Sequence, residues 1–249
     1  MERERGFPVV SIISTLVLAL IVLLFSISGA EPEFASMVLS AAASVAALSA
    51  ALVSAHVLIA RGFLLDPLAG LALLYAVPGF LLASAGWALD AANVHLQLGP
   101  LELSKWLWYS SALLIMVALW ELGATVRRLA GLKRSEALVA VGLPLAYAAA
   151  LALIAAWSAA PLVRIAETLA ASVLLMLSLL ALLPIRRKRY SWGLTLMAAG
   201  SATFTTAVPL VSLLAPSVYA PLPIALYTLS FIFAASGVYV YGGESVLLR

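Results

Sequence analysis

Charged residues in this chain fall almost entirely between apolar runs of about 20 residues, and that spacing constrains the fold more than any motif does. A helix of that length crosses a hydrocarbon core of ~30 Å at ~1.5 Å rise per residue. Eight such runs can be drawn, over residues 8–29, 37–60, 67–89, 104–126, 136–157, 162–184, 191–214 and 221–242. Hydrophobic residues fill 65% of the 249 positions and charged residues 10%, against roughly half and a quarter in an ordinary soluble domain. That much hydrocarbon exceeds what a water-soluble core can bury. The expected fold class is therefore all-α: a polytopic integral membrane helical bundle of eight transmembrane helices. No connection is long enough to fold as a soluble unit, so residues 1–249 read as a single transmembrane domain.

The first run follows MERERGF and is followed by GAEPEFAS, which lacks a small-x-small cleavage signature, so it reads as a retained helix. Alternate connections and tails collect Arg3, Arg5, Arg61, Arg127, Arg128, Lys133, Arg134, Arg186, Arg187, Lys188, Arg189 and Arg249 on one side. Only Lys105 and Arg164 remain on the other. Basic residues accumulate on the cytoplasmic side of a membrane. Both termini are thus expected in the cytoplasm, with the protein multi-pass in the cell membrane. The same placement accounts for the pI near 9.3, and no nucleic-acid partner is expected. On the external side the longest connection, residues 90–105, alternates Asn93, His95 and Gln97 with Val94, Leu96 and Leu98, as a segment lying at the interface would.

Prolines interrupt three of the runs, at Pro78, Pro144 and Pro209, spaced 66 and 65 residues apart. Arg61 and Arg127 each precede such a proline by 17 residues. This predicts three tandem helical hairpins (spans 2–3, 4–5 and 6–7) whose returning helices are kinked at those prolines. Ala43, Ala47, Ala51 and Ala55 form a four-residue ridge, flanked by Ala46, Ala50 and Ser54. Small residues at that spacing let a neighbouring helix approach closely, so span 2 is expected inside the bundle, with His56 packed against protein.

More than three residues from either end of a run, the charged or histidine side chains are His56, Glu121 and Glu167. A charge at membrane depth normally has a partner or a task. His56 and Glu121 lie at nearly equal depth before Arg61 and Arg127, so neighbouring spans 2 and 4 would pair them as a proton relay or a cavity base. The plainer reading, which is favoured, turns Glu121 to Arg127 or Arg128 and His56 to a backbone carbonyl. Glu167 is explained by Arg164 three residues before it. Ser201, Thr203, Thr205 and Thr206 precede Pro209; such hydroxyls beside an opened backbone would line an ion path, though more often they bond to their own helix. Trp106, Trp108 and Tyr109 match an interfacial aromatic belt.

Several chemistries lack their residues. Cysteine is absent, which removes disulfides and thiolate sites. His56 and His95 fall on opposite faces, so no bis-histidine haem is expected. No metal-ligand cluster and no nucleotide or hydrolase motif occurs. No catalytic residue, cofactor or metal is assigned, and an enzyme would rest only on His56, Glu121 and the Asp90–His95 pair. The expected function is that of a non-enzymatic membrane subunit or scaffold in a larger assembly, its partners being the bilayer and other subunits or its own copies. A small-solute or ion transporter with a polar site among spans 2, 4 and 7 is the alternative. A membrane sensor for a lipid-soluble ligand follows it.

Overall fold

The computed structural model describes residues 31–62, 65, 67–99, 101–155, 161–188, 192–214 and 221–247. Seven helices account for nearly all of them: α1 (Pro32–Arg61), α2 (Pro67–Ala91), α3 (Leu103–Ala130), α4 (Arg134–Ala155), α5 (Pro161–Lys188), α6 (Trp192–Leu214) and α7 (Pro221–Leu247). Between α2 and α3 lies a hairpin of two short strands, β1 (Gln97–Leu98) and β2 (Leu101–Glu102). The protein is an all-helical membrane protein, and fewer than the expected eight spans are found among the described residues. Five of these helices, α1 to α4 and α7, are long and apolar enough to cross a membrane. In α5 the described side chains include a shorter apolar stretch, Leu169–Ala181. The run at 8–29 lies outside the described residues.

Local chemistry sets the helix ends. Proline opens α1, α2, α5 and α7, where its missing N–H is needed by no intrahelical bond and its fixed φ suits the first turn. Arg61 closes α1, and Arg127 and Arg128 close α3, favourable neighbours for the negative end of a helix dipole. Gly131 follows α3 with φ 67° and donates its N–H to the Arg127 carbonyl at 2.9 Å, a left-handed stop that glycine adopts at little cost. Glu136 accepts from the Lys133 N–H at 2.8 Å, capping α4. Glu244 near the end of α7 accepts from the Trp192 N–H at 3.0 Å, capping α6 from a neighbouring helix.

Packing arranges six helices in a closed ring in the order α1, α2, α3, α5, α6, α7, with α7 returning to α1. Helix α4 stands outside the ring, packed on α5. The proposed equivalence of three hairpins is therefore not seen in the second unit. α1 packs with α2 and α5 with α6, whereas α4 lies on α5 instead of pairing with α3 along its length. The reason is that α3 already has α2 on one side and α5 on the other. Pro78 and Pro144 fall inside α2 and α4, which continue through them. Pro209 lies within α6, its side chain outside the described residues.

Two joined cores fill the ring. Towards the end carrying Arg61 and Arg127 the core is aliphatic, with Val57, Leu73, Leu122, Val126, Leu174 and Val238. Towards the other end alanines of α1 meet Phe80, Trp87 and Phe231. The ridge Ala43, Ala47 and Ala51 is buried to 1% exposure or less, as its spacing predicts. Ser44 Oγ of α1 donates to the Ser84 carbonyl of α2 at 2.9 Å, so that interface also carries a polar link. Helices α6 and α7 come closer still. A Cβ on Gly237 would lie 2.6 Å from the Met197 nitrogen and 2.7 Å from the Gly193 oxygen. Only glycine permits that backbone-to-backbone approach.

Candidate functional site

The sequence nominates His56, Glu121 and the hydroxyls of residues 201–206, and the structure separates them. His56 is exposed on the outside of α1, contrary to the expectation that it is packed against protein. The helical repeat explains this: five residues beyond Ala51 is about 140° around the helix, so the buried alanine ridge and His56 lie on different faces. Glu121 is half-buried on α3. It is not brought to His56, since α1 packs on α2 and α7 while α3 packs on α2 and α5. Nor does Arg127 turn to Glu121; its guanidinium lies 5.2 Å from the centroid of the Trp120 ring, a cation–π geometry. The Glu121 backbone carbonyl accepts from Thr125 Oγ1 at 3.1 Å. The side chains of Arg164 and Glu167 lie outside the described residues.

The hydroxyls of α6 are occupied locally. Thr203 Oγ1 donates to the Ala199 carbonyl at 2.8 Å and Thr205 Oγ1 to the Ala202 carbonyl at 2.7 Å. Ser201 pairs with Ser178 of α5, and Ser178 Oγ is also within 2.6 Å of the Leu174 carbonyl. Thr206 falls within α6, its side chain outside the described residues. Of the described hydroxyls Thr203 and Thr205 bond within α6 and Ser201 reaches α5, so they offer no row of free ligands.

Proline chemistry at this site has a partner the sequence reading missed. Pro209 has no N–H, which leaves the carbonyl four residues earlier, on Thr205, without its helical donor. Tyr147 of α4 donates its hydroxyl to that carbonyl at 3.0 Å. The freed carbonyl was foreseeable from the position of Pro209. Its donor was not, because Tyr147 lies 58 residues away on the helix outside the ring.

At the centre of the ring is a cavity of about 80 Å³ walled by α2, α3, α5, α6 and α7. It runs from Ala69 and Tyr241, towards the arginine-bearing end, to Phe80, Phe204 and Phe231 near mid-bundle. Of its two serines, Ser201 bonds to Ser178 and Ser230 donates to the Tyr227 carbonyl at 2.7 Å. Above Phe204 a chain of rings continues outward. Phe204 meets Tyr227 at 5.1 Å between centroids, Tyr227 meets Trp87 at 5.2 Å, and Trp87 meets Trp108 at 4.8 Å. Trp108 is thus packed against ring residues and not placed in a belt, and its buried Nε1 has no hydrogen-bond partner among the described residues. Trp106 and Tyr109 are exposed, as interfacial residues would be.

The connection from α2 to α3 forms a small polar surface. Gln97 pairs with Glu102 and Leu98 with Leu101, and Trp106 Nε1 donates to the Leu98 carbonyl at 2.9 Å. His95 Nδ1 lies 3.5 Å from Glu102, which also approaches Lys105 at 3.4 Å. Among the described residues no group of three or more His, Asp or Glu is placed to hold a metal ion.

No known protein family, curated protein or solved structure matches this chain.

Proposed function

We propose that this chain is a non-enzymatic, multi-pass component of the cell membrane that works as a subunit or scaffold of a larger assembly. In that reading both termini, Arg61 and the Arg127–Arg134 turn face the cytoplasm. The supporting observation is helix α4. In its apolar 18-residue stretch only 11% of residues are buried, against 39% in that of each of the other four candidate spans. Its outward face carries Gly142, Ala146 and Ala149 along the middle, all exposed. Leu138 and Leu145 flank them on one side, Val139 and Leu143 on the other. A helix built to meet only lipid gains little from small residues, whereas a second helix can approach closely over them. His56 supports the same reading, since a titratable ring on the outside of α1 at membrane depth calls for a protein partner. Transport of a polar solute finds less support, because the α6 hydroxyls bond to neighbouring carbonyls and to Ser178.

Native mass spectrometry from mild detergent tests the proposal. The expected spectrum contains either several copies of the chain or a stoichiometric partner. Gly142→Leu should shift it towards the monomer without lowering the unfolding temperature, because among the described residues nothing beyond its own helix lies within 4 Å of a Cβ at Gly142. A wild-type protein that emerges only as a monomer contradicts it.

A further inference from the structure

We propose that the central cavity of the ring is a binding site for an uncharged hydrocarbon chain, such as the end of an acyl or isoprenoid tail. This is independent of the subunit reading, since the cavity lies inside the ring and α4 outside it. Its walls are hollowed by alanines from three helices, Ala69, Ala72 and Ala76 of α2, Ala118 of α3 and Ala234 of α7. Protein interiors are otherwise filled to crystal-like density. A space of about 80 Å³ has room for a few linked methylene groups and is smaller than the roughly 150 Å³ that accommodates benzene in an engineered apolar cavity.

The chemistry of the lining selects the occupant. Ser201 is taken by Ser178, and Ser230 by the Tyr227 carbonyl, so neither needs a ligand to satisfy it. Water requires two to four polar partners and does not settle in such a space. An ion or a sugar would lose its hydration with nothing in exchange. Hydrocarbon loses nothing, and dispersion contacts with Phe80, Phe204 and Phe231, whose rings meet edge-on at 6.0 and 6.4 Å, favour it over an empty void. The surrounding bilayer supplies that chemistry at high concentration.

Photolabelling separates this site from the ordinary lipid annulus. The purified protein in nanodiscs is irradiated with two probes, a dodecane bearing a terminal diazirine and a phosphatidylcholine bearing the diazirine at the end of one acyl chain. Adducts are then mapped by peptide sequencing. Label is expected on the ring-interior residues Ala118, Phe204 and Phe231 as well as on outward residues away from α4, such as Leu52 and Leu113. Ala118→Phe fills the space and should abolish interior label while outward label persists. Ala234→Leu serves the same purpose should the first variant fail to fold. Interior label from both probes identifies a lipid tail, and from dodecane alone a free hydrocarbon; either supports the site. Label confined to outward residues in the wild type, or interior label that survives in a folded cavity-filling variant, overturns it.

Discussion

Tyr147 shows how a single side chain ties an outlying helix to the ring. Its hydroxyl meets the Thr205 carbonyl at 3.0 Å, one of the carbonyls that proline leaves without a backbone donor. In water such a group would be solvated; in a bilayer it must be satisfied by protein. Tyr147→Phe should destabilise the protein by about 1 kcal/mol, the usual net worth of such a bond. Pro209→Ala restores the backbone N–H and supplies a second donor, so Tyr147→Phe should cost less in that background. A double-mutant cycle of unfolding in detergent measures the difference. Equal costs in both backgrounds would mean that the tyrosine does not answer the proline. Pro209 and its missing donor were readable from sequence alone. The exposure of His56 was not legible from the alanine ridge, which defines one face of α1 only, and a residue about 140° from that ridge faces the other way.

At the scale of helices, the decisive quantity is how closely backbones approach. α6 and α7 are held together through Gly193 and Gly237, where a Cβ would strike main-chain atoms. Gly237→Leu should therefore destabilise by about 1–3 kcal/mol or prevent folding, as overpacking of a tight interface does. Gly142→Ala, on the open face of α4, should be neutral or raise stability by up to about 1 kcal/mol, the helix-propensity gain of alanine over glycine. Thermal unfolding of the two variants in one detergent checks the contrast. If both behave alike, the α6–α7 contact is looser than described. The burial of Ala43, Ala47 and Ala51 was legible because a four-residue repeat of small side chains has one physical use. The displacement of α4 from α3 was not. Even proline spacing predicts like hairpins, but which face of α3 is occupied depends on α5, far along the chain.

For the whole molecule, composition settled the solvent, and local pattern settled the helices. Neither settled the ring. Its closure by α1 on α7 and the cavity at its centre arise from small residues scattered over five helices, each unremarkable in its own segment. In the proposed function this ring is the stable body of the protein and α4 the face it presents to others. Because the chain has no cysteine, single-cysteine variants along α4 can carry a spin label without background. The direct measurement is the accessibility of labels at positions 142, 143, 145, 146 and 149 to membrane-dissolved oxygen, made in native membrane vesicles. Positions 142, 146 and 149 should be shielded by a partner, while 143 and 145 remain open to lipid. Equal accessibility at all five would leave α4 facing lipid alone and contradict the assembly reading.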